Sequence, residues 1–294
     1  MKFLSLIAVM LLVQYWSVSP SIQRDGLFHA WRGMCQKALS VLPSGAIWAF
    51  VVLLPALLAG LAIEMMAGWL WGAVSLALSI ALLLYGLGRG DLSEQVEEYL
   101  SSWQQADWQA AWHHAQSFVS QEALDETADP VQLHQYACRA IAYQGFERLF
   151  AVVFWFMVLG PAGAVFYRFT SLQARESKGG DDPLDQQMLY LLEWLPARIL
   201  AFTCALAGNF NTAMNAIELG WLDMTRSMAD FLSTACAGAL QWAPMVPPDM
   251  NDDAAVEAFV SQGQQDVRAL MTLLARCGMI WLALIALWQV LRIW

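Results

Sequence analysis

The sequence predicts an all-α fold: a polytopic α-helical integral membrane protein whose spans are joined by amphipathic cytoplasmic or interfacial helices. Three observations carry that prediction. Between Ala38 and Gly88 the only charged residue is Glu64, and each flanking apolar stretch is long enough to cross a bilayer. A hydrocarbon core about 30 Å thick needs roughly 20 helical residues. The 294 residues are 59% hydrophobic and 14% charged, with a mean hydropathy of +0.46, whereas soluble domains are roughly a quarter charged. Several of the 15 tryptophans (Trp16, Trp48, Trp69, Trp71, Trp194, Trp281, Trp294) fall at the ends of apolar runs, where an amphipathic ring suits the headgroup layer.

Read in order, residues 3–18 follow Lys2 and carry Tyr15-Trp16 where a signal peptide would be cleaved, so they are expected to stay as a first span rather than leave as a signal peptide. Arg24, Arg32 and Lys37, with Phe28 and Trp31, mark an interfacial segment. Spans 45–63 and 67–87 form a hairpin that turns just after Glu64. The glycines at 86, 88 and 90 stop its second helix, and Asp91 or Ser93 caps the next. Residues 91–121 read as one or two amphipathic helices, with Val96, Leu100 and Trp103 at helical spacing.

An acidic break at 122–129 ends in Asp129-Pro130, an N-cap acid followed by proline at the first helical position. That helix is expected to run into a span at 149–168. A polar loop over 173–183 follows, then a helix through Leu189, Leu192, Leu195 and Ile199. Residues 196–212 are apolar but short, and Asn209, Asn211 and Asn215 argue against extending them, so a short or re-entrant helix is expected there. An apolar stripe from Trp221 to Trp242, a proline break at 244–248, and a last span at 277–293 led by Asp252-Asp253 complete a single domain over 1–294.

The net charge of −10 leaves no basic stripe for nucleic acid. Five separated cysteines show neither zinc spacing nor a disulfide framework, and the adjacent His113 and His114 point about 100° apart. No metal site is expected. The glycine-rich 86–90 stretch lacks the Lys-Ser/Thr ending of a phosphate loop; no cofactor is expected, and a nucleotide stays open with no motif to support it. The lipid bilayer is the first partner; a small polar metabolite or a membrane-protein partner remains open.

Two motifs point to a family. Phe154-Trp155-Phe156 leads into Gly160-Pro161-Ala-Gly163 and Tyr167-Arg168; Leu192-Glu193-Trp194-Leu195-Pro196-Ala197-Arg198 follows, with Ala205-Leu-Ala-Gly208 beyond. This order and spacing resembles the membrane family that joins AmpE to the cobalamin-biosynthesis proteins CobD and CbiB, over about 137–208. The region before it looks like the AmpE branch. The cobalamin enzymes carry a Glu-Asn pair where Tyr143 and Gln144 stand here, and an Asn-Thr-Leu-Asp run where this chain reads Phe169-Thr-Ser-Leu-Gln173. They also carry an acidic segment after the first span that is missing here.

The resemblance therefore implies an AmpE-like regulatory or signalling protein of the bacterial inner membrane, multi-pass, associated with cell-wall recycling and β-lactamase induction. The alternative it implies is a membrane-bound, ATP-dependent, amide-forming synthase of the CobD type acting on a polar metabolite. The missing acids speak against that activity, and no catalytic residue is assigned. The residues expected to line a ligand pocket are Tyr143, Gln144, Glu147, Arg148, Tyr167, Arg168, Glu193, Trp194 and Arg198. Pro196 should kink its helix, and Arg198 should take the carbonyls so released or pair with Glu193. A transporter is disfavoured because the expected spans hold no ionisable residue at mid-membrane.

The bases flanking the hairpin (Arg24, Arg32, Lys37, Arg89, Arg139, Arg148) outnumber those at its tip, which has only Glu64. The positive-inside rule places both flanks in the cytoplasm. Reporter fusions at Arg32 and at Asp107 should both report cytoplasm; a periplasmic signal from either overturns the hairpin.

Overall fold

A computed structural model describes residues 25–38, 43–66, 73–87, 92–127, 129–177, 183–221, 223–249 and 251–293. Among these the regular structure is all helical and no strand occurs. The protein is an all-α, polytopic membrane protein: four helical stretches are long and apolar enough to cross a bilayer, Gly45–Met66, Pro130–Leu159, Leu184–Ala207 and Asp253–Leu291. The expected first span at 3–18 lies outside the described residues. The described residues fall into two compact units, one of 25–87, 148–196 and 288–293, the other of 92–147 and 197–287.

In the first unit, α1 (Gly26–Ala38) packs on α2 (Ser44–Met66), and α2 packs on α3 (Ala73–Gly86), the two arms of the expected hairpin. The start of the expected 67–87 span, through residue 72, is outside the described residues. The expected single span at 149–168 is instead two helices, α8 (Val152–Leu159) and α9 (Pro161–Glu176), broken at Gly160. Gly160 has φ 74° and ψ −158°, a conformation open to glycine, and Pro161 opens α9. Gly163 then brings the α9 backbone against the Trp155 carbonyl; a Cβ there would also meet Leu159 Cβ at 2.8 Å. The stretch is apolar for the length of a span, but the Gly-Pro pair within it turns the chain back on itself.

Helix α9 is the centre of this unit and packs on α2, α3 and α8. Val165, Phe169 and Leu172 join Phe28, Cys35, Val51 and Val52 in one core cluster, and the Phe28 and Phe169 rings meet edge to face at 5.2 Å.

Two spans contain proline, α2 at Pro55 and α10 (Pro183–Ala207) at Pro196. Proline lacks the amide hydrogen that would bond the carbonyl four residues earlier. In both spans a tryptophan indole takes that carbonyl. Trp31 Nε1 donates to the Val51 oxygen at 3.3 Å, and Trp155 Nε1 donates to the Leu192 oxygen at 3.2 Å.

In the second unit, α4 (Leu92–Gln104) and α5 (Trp108–Ala115) pack on each other and on α7 (Pro130–Gly145), as does the one-turn α6 (Gln121–Asp125). Val96, Leu100 and Trp103 are buried as their spacing predicts. The Trp103 indole donates to the Val260 carbonyl at 3.1 Å, and only a glycine at 263 leaves room for its ring. Asp129 caps α7 by accepting from the Gln132 amide at 2.8 Å. Helix α11 (Phe210–Ile217) packs on α12 (Met228–Leu240), which packs on α7. All five cysteines are free and buried.

The helix expected over 196–212 differs in the structure. Its first half completes α10, which runs unbroken through Pro196, and Asn209 starts α11 by accepting from the Thr212 amide at 3.2 Å. The asparagine that argued against extension is an N-cap. The final span is the end of a much longer helix, α13 (Asp253–Ile293), which Asp252 helps to start by accepting from the Ala254 amide.

Trp155→Phe removes the donor to the carbonyl that Pro196 releases, and should lower stability by about 1–3 kcal/mol, the desolvation cost of an orphaned buried group. Pro196→Ala restores the intrahelical bond, so the Trp155→Phe penalty should shrink in that background. Thermal unfolding of the four detergent-solubilised proteins measures the coupling; additive effects would show that the two residues act independently.

Candidate functional site

The nine residues expected to line a pocket are divided between the two units. Tyr143, Gln144, Glu147 and Arg198 belong to the second unit; Arg148, Tyr167, Arg168, Glu193 and Trp194 belong to the first. Glu147 and Arg148 occupy a π-helical turn, Phe146–Ala151, that links α7 to α8. Such turns insert one extra residue and re-aim the side chains around them.

In the first unit Tyr167 and Arg168 are successive residues of α9 and so point about 100° apart. Tyr167 donates its hydroxyl to Glu193 Oε1 at 2.9 Å, and both side chains are buried. Arg168 donates through Nη2 to both oxygens of Asp25, at 3.2 and 3.3 Å, again with both residues buried. Asp25 was not anticipated: it precedes α1 in a stretch that reads as interfacial, and nothing in its spacing points to Arg168.

Arg148 and Arg168 line one cavity of about 150 Å³ together with Asp25, His29, Arg175 and Glu176. Half-buried Trp194 is next to Glu193 on α10. Gln173, at the end of the 169–173 run, accepts from Arg32 Nε at 2.9 Å and donates to buried Asp185 at 3.0 Å.

In the second unit Arg198 is buried and satisfied several ways. Its Nε donates to the Trp221 carbonyl at 3.2 Å and its Nη2 to the Asp223 carbonyl at 3.4 Å. Nη1 lies 3.3 Å from the Met228 sulfur, and the guanidinium stacks 4.5 Å from the Phe231 ring centre. The same loop is fixed by Thr225, whose hydroxyl and amide both donate to Asp223 Oδ1 and hold that carboxyl below its usual range. Gln144 donates to the Phe118 carbonyl at 3.4 Å, and the Tyr143 ring lies 6.2 Å from Phe146.

Arg198 therefore caps a loop. It takes neither the carbonyl released by Pro196, which Trp155 holds, nor the role of a helical partner to Glu193. Five residues on an unbroken helix separate Glu193 and Arg198 by about 140° around the axis. Both also lie well inside the Leu184–Ala207 span, roughly 14 and 21 Å along it at about 1.5 Å per residue. The expectation that no span holds an ionisable residue at mid-length is thus corrected; it rested on starting the apolar helix at 196. Among the described residues no group of three His, Cys, Asp or Glu could hold a metal ion.

Proline-containing apolar helices and buried charges satisfied from within define a helical membrane protein with polar joints inside its spans. Residues 41–241 match the family described as regulatory signalling modulator protein AmpE, and the chain belongs to that family. It is 28% identical over 136 residues to the cobalamin biosynthesis protein CobD of Chromobacterium violaceum, covering 44% of this chain and 43% of that one. To the CobD protein of Stutzerimonas stutzeri it is 29% identical over 204 residues, covering 63% of this chain and 58% of the relative. The chain thus spans less than two thirds of either relative's length. No solved structure matches it.

Arg198→Ala should lower the thermal stability of the solubilised protein by about 1–3 kcal/mol, since two loop carbonyls lose a charged donor. Arg198→Lys should be intermediate, because one ammonium cannot span both carbonyls and stack on Phe231. Equal stability of wild type and Arg198→Ala would show that the loop does not depend on the guanidinium.

Proposed function

We propose that this protein is a regulatory component of the bacterial inner membrane, crossing it several times, that takes part in signalling between cell-wall recycling and β-lactamase induction. The observation that carries this reading is the match of residues 41–241 to the AmpE family, described as a regulatory signalling modulator. Two buried acids of the first unit have a donor within hydrogen-bond reach, Tyr167 for Glu193 and Arg168 for Asp25, which is how a carboxylate is held in place.

A CobD-type, ATP-dependent amide-forming synthase is the second reading, favoured by the 28–29% identity to two CobD proteins. The 169–173 run speaks against it. Where the cobalamin enzymes carry Asn-Thr-Leu-Asp, Phe169 and Leu172 lie in the apolar core and Gln173 bridges Arg32 to Asp185. Those positions are occupied by packing and by internal hydrogen bonds, in place of the acid a hard cation needs.

Two complementation assays separate the readings. Expressed in a strain that has lost its own AmpE, the protein should restore the normal β-lactamase induction response. In a strain lacking CobD it should leave cobalamin synthesis absent. Restored cobalamin synthesis without any effect on induction would reverse the order of the two proposals.

A further inference from the structure

Where α7 meets α13 in the second unit, a buried histidine stands between a carboxylate and an indole. His134 is 4% exposed. Its Nε2 lies 3.7 Å from Asp266 Oδ2 on α13 and 3.4 Å from the Cys138 sulfur, one turn further along α7. Its ring centre is 5.1 Å from that of Trp103 on α4, and the Trp103 indole donates to the Val260 carbonyl of α13. One imidazole is thus in reach of all three helices of this junction.

The junction lies outside the hydrocarbon core. The ends of the two long apolar stretches, residues 149–159 and 277–291, carry no charge. From His134 to Leu159, and from Asp266 to Leu291, the helical path is about 38 Å at about 1.5 Å per residue, longer than the roughly 30 Å of the core. With the core over the uncharged ends, both residues stand beyond it. Asp266 keeps 16% of its side chain exposed, so protons reach the pair from the aqueous phase.

Opposed effects set the charge of His134. Burial disfavours the imidazolium, and Nδ1 is buried without a partner, which adds the cost of an unmade donor. The Asp266 carboxylate favours it, as does the face of the Trp103 indole. Against burial, the Cys138 sulfur and Asp266 raise the imidazole to about 9. The other ionisable groups described on the packed elements face elsewhere. Tyr99 of α4, 5.7 Å from Trp103, is a neutral phenol, and the acids of α4 and α6 are exposed. His114 of α5 faces Glu98. Glu126, after α6, accepts from Tyr136, and Asp230 of α12 pairs with Arg139; these two α7 positions are about 200° and 140° round the helix from His134.

Such a balance leaves a proton that can be withdrawn without unpacking the apolar side chains around it, which a switch requires. We propose that His134 and Asp266 form a proton-sensitive latch: the imidazolium draws α4 and α7 onto α13, and deprotonation releases that attraction. An imidazole raised in the folded state adds stability that is fully present below its unfolded value of about 6.5. That stability is lost as the pH rises through about 9. The latch goes beyond the regulatory reading and stands whether or not the protein acts in induction.

The chain has four histidines, so combining His29→Gln, His113→Gln and His114→Gln leaves His134 as the sole imidazole. That full-length protein, labelled in its histidine ring nitrogens and held in nanodiscs, is followed by NMR between about pH 6 and 10, with thermal unfolding in parallel. His134 should be an imidazolium at about pH 7.5, where an ordinary histidine is neutral, and Asp266→Asn should move its titration down by about one pH unit or more. Between about pH 6.5 and 9 the ratio of folded to unfolded protein should fall by up to about tenfold per pH unit, and Asp266→Asn and His134→Gln should both flatten that fall. Asp266→Asn keeps the shape of the side chain, so the test does not rest on whether His134→Gln folds. A neutral His134 at about pH 7.5, a titration that Asp266→Asn leaves in place, or the same pH profile of stability with and without Asp266→Asn, overturns the proposal.

Discussion

The first unit depends on how it satisfies the carbonyls that its prolines release. Inside a bilayer no water can take an orphaned backbone oxygen, so a proline in a span needs a donor from elsewhere. Trp31 and Trp155 are those donors, for Val51 and Leu192. Each bond also fixes the position of a neighbouring helix. The Trp31 bond ties α1 to α2 and so helps to hold Asp25, at the head of α1, where Arg168 can reach it. Trp155 acts twice: its indole caps α10 at Leu192, and its own carbonyl receives the bare backbone of Gly163. Through that contact the proline of α10 bears on the placement of α9, the helix that carries Tyr167 and Arg168.

The buried charges obey the same logic. Removing one member of a buried pair leaves the other desolvated and uncompensated, which is worse than never having had the pair. Arg168 is matched by a bidentate aspartate and Glu193 by a tyrosine hydroxyl, while Arg198 is met by carbonyls, a sulfur and a ring. Arg198 uses several nitrogens and the guanidinium face at once, which the single centre of a lysine cannot do. The arginines are thus joints between segments far apart in sequence: α9 with the start of α1, and α10 with the 218–227 loop.

Much of this was legible in the sequence because hydropathy and caps are local. The hairpin arms, the Asp129-Pro130 start and the buried Val96–Leu100–Trp103 stripe all follow from spacing within one or two turns. The failures share one cause, that a local signal was read without its distant partner. The 19 uncharged residues from 149 to 167 read as a span until Gly160 and Gly163 are seen to reverse the chain and close it on Trp155. Arg198, two residues away, read as the donor to the carbonyl that Pro196 releases, whereas the donor is Trp155, 37 residues before that carbonyl. The same applies to the site. Tyr167, Arg168, Glu193 and Arg198 were singled out by motif. Their partners Asp25, Trp221 and Asp223 were not, since an isolated aspartate and two loop carbonyls carry no pattern.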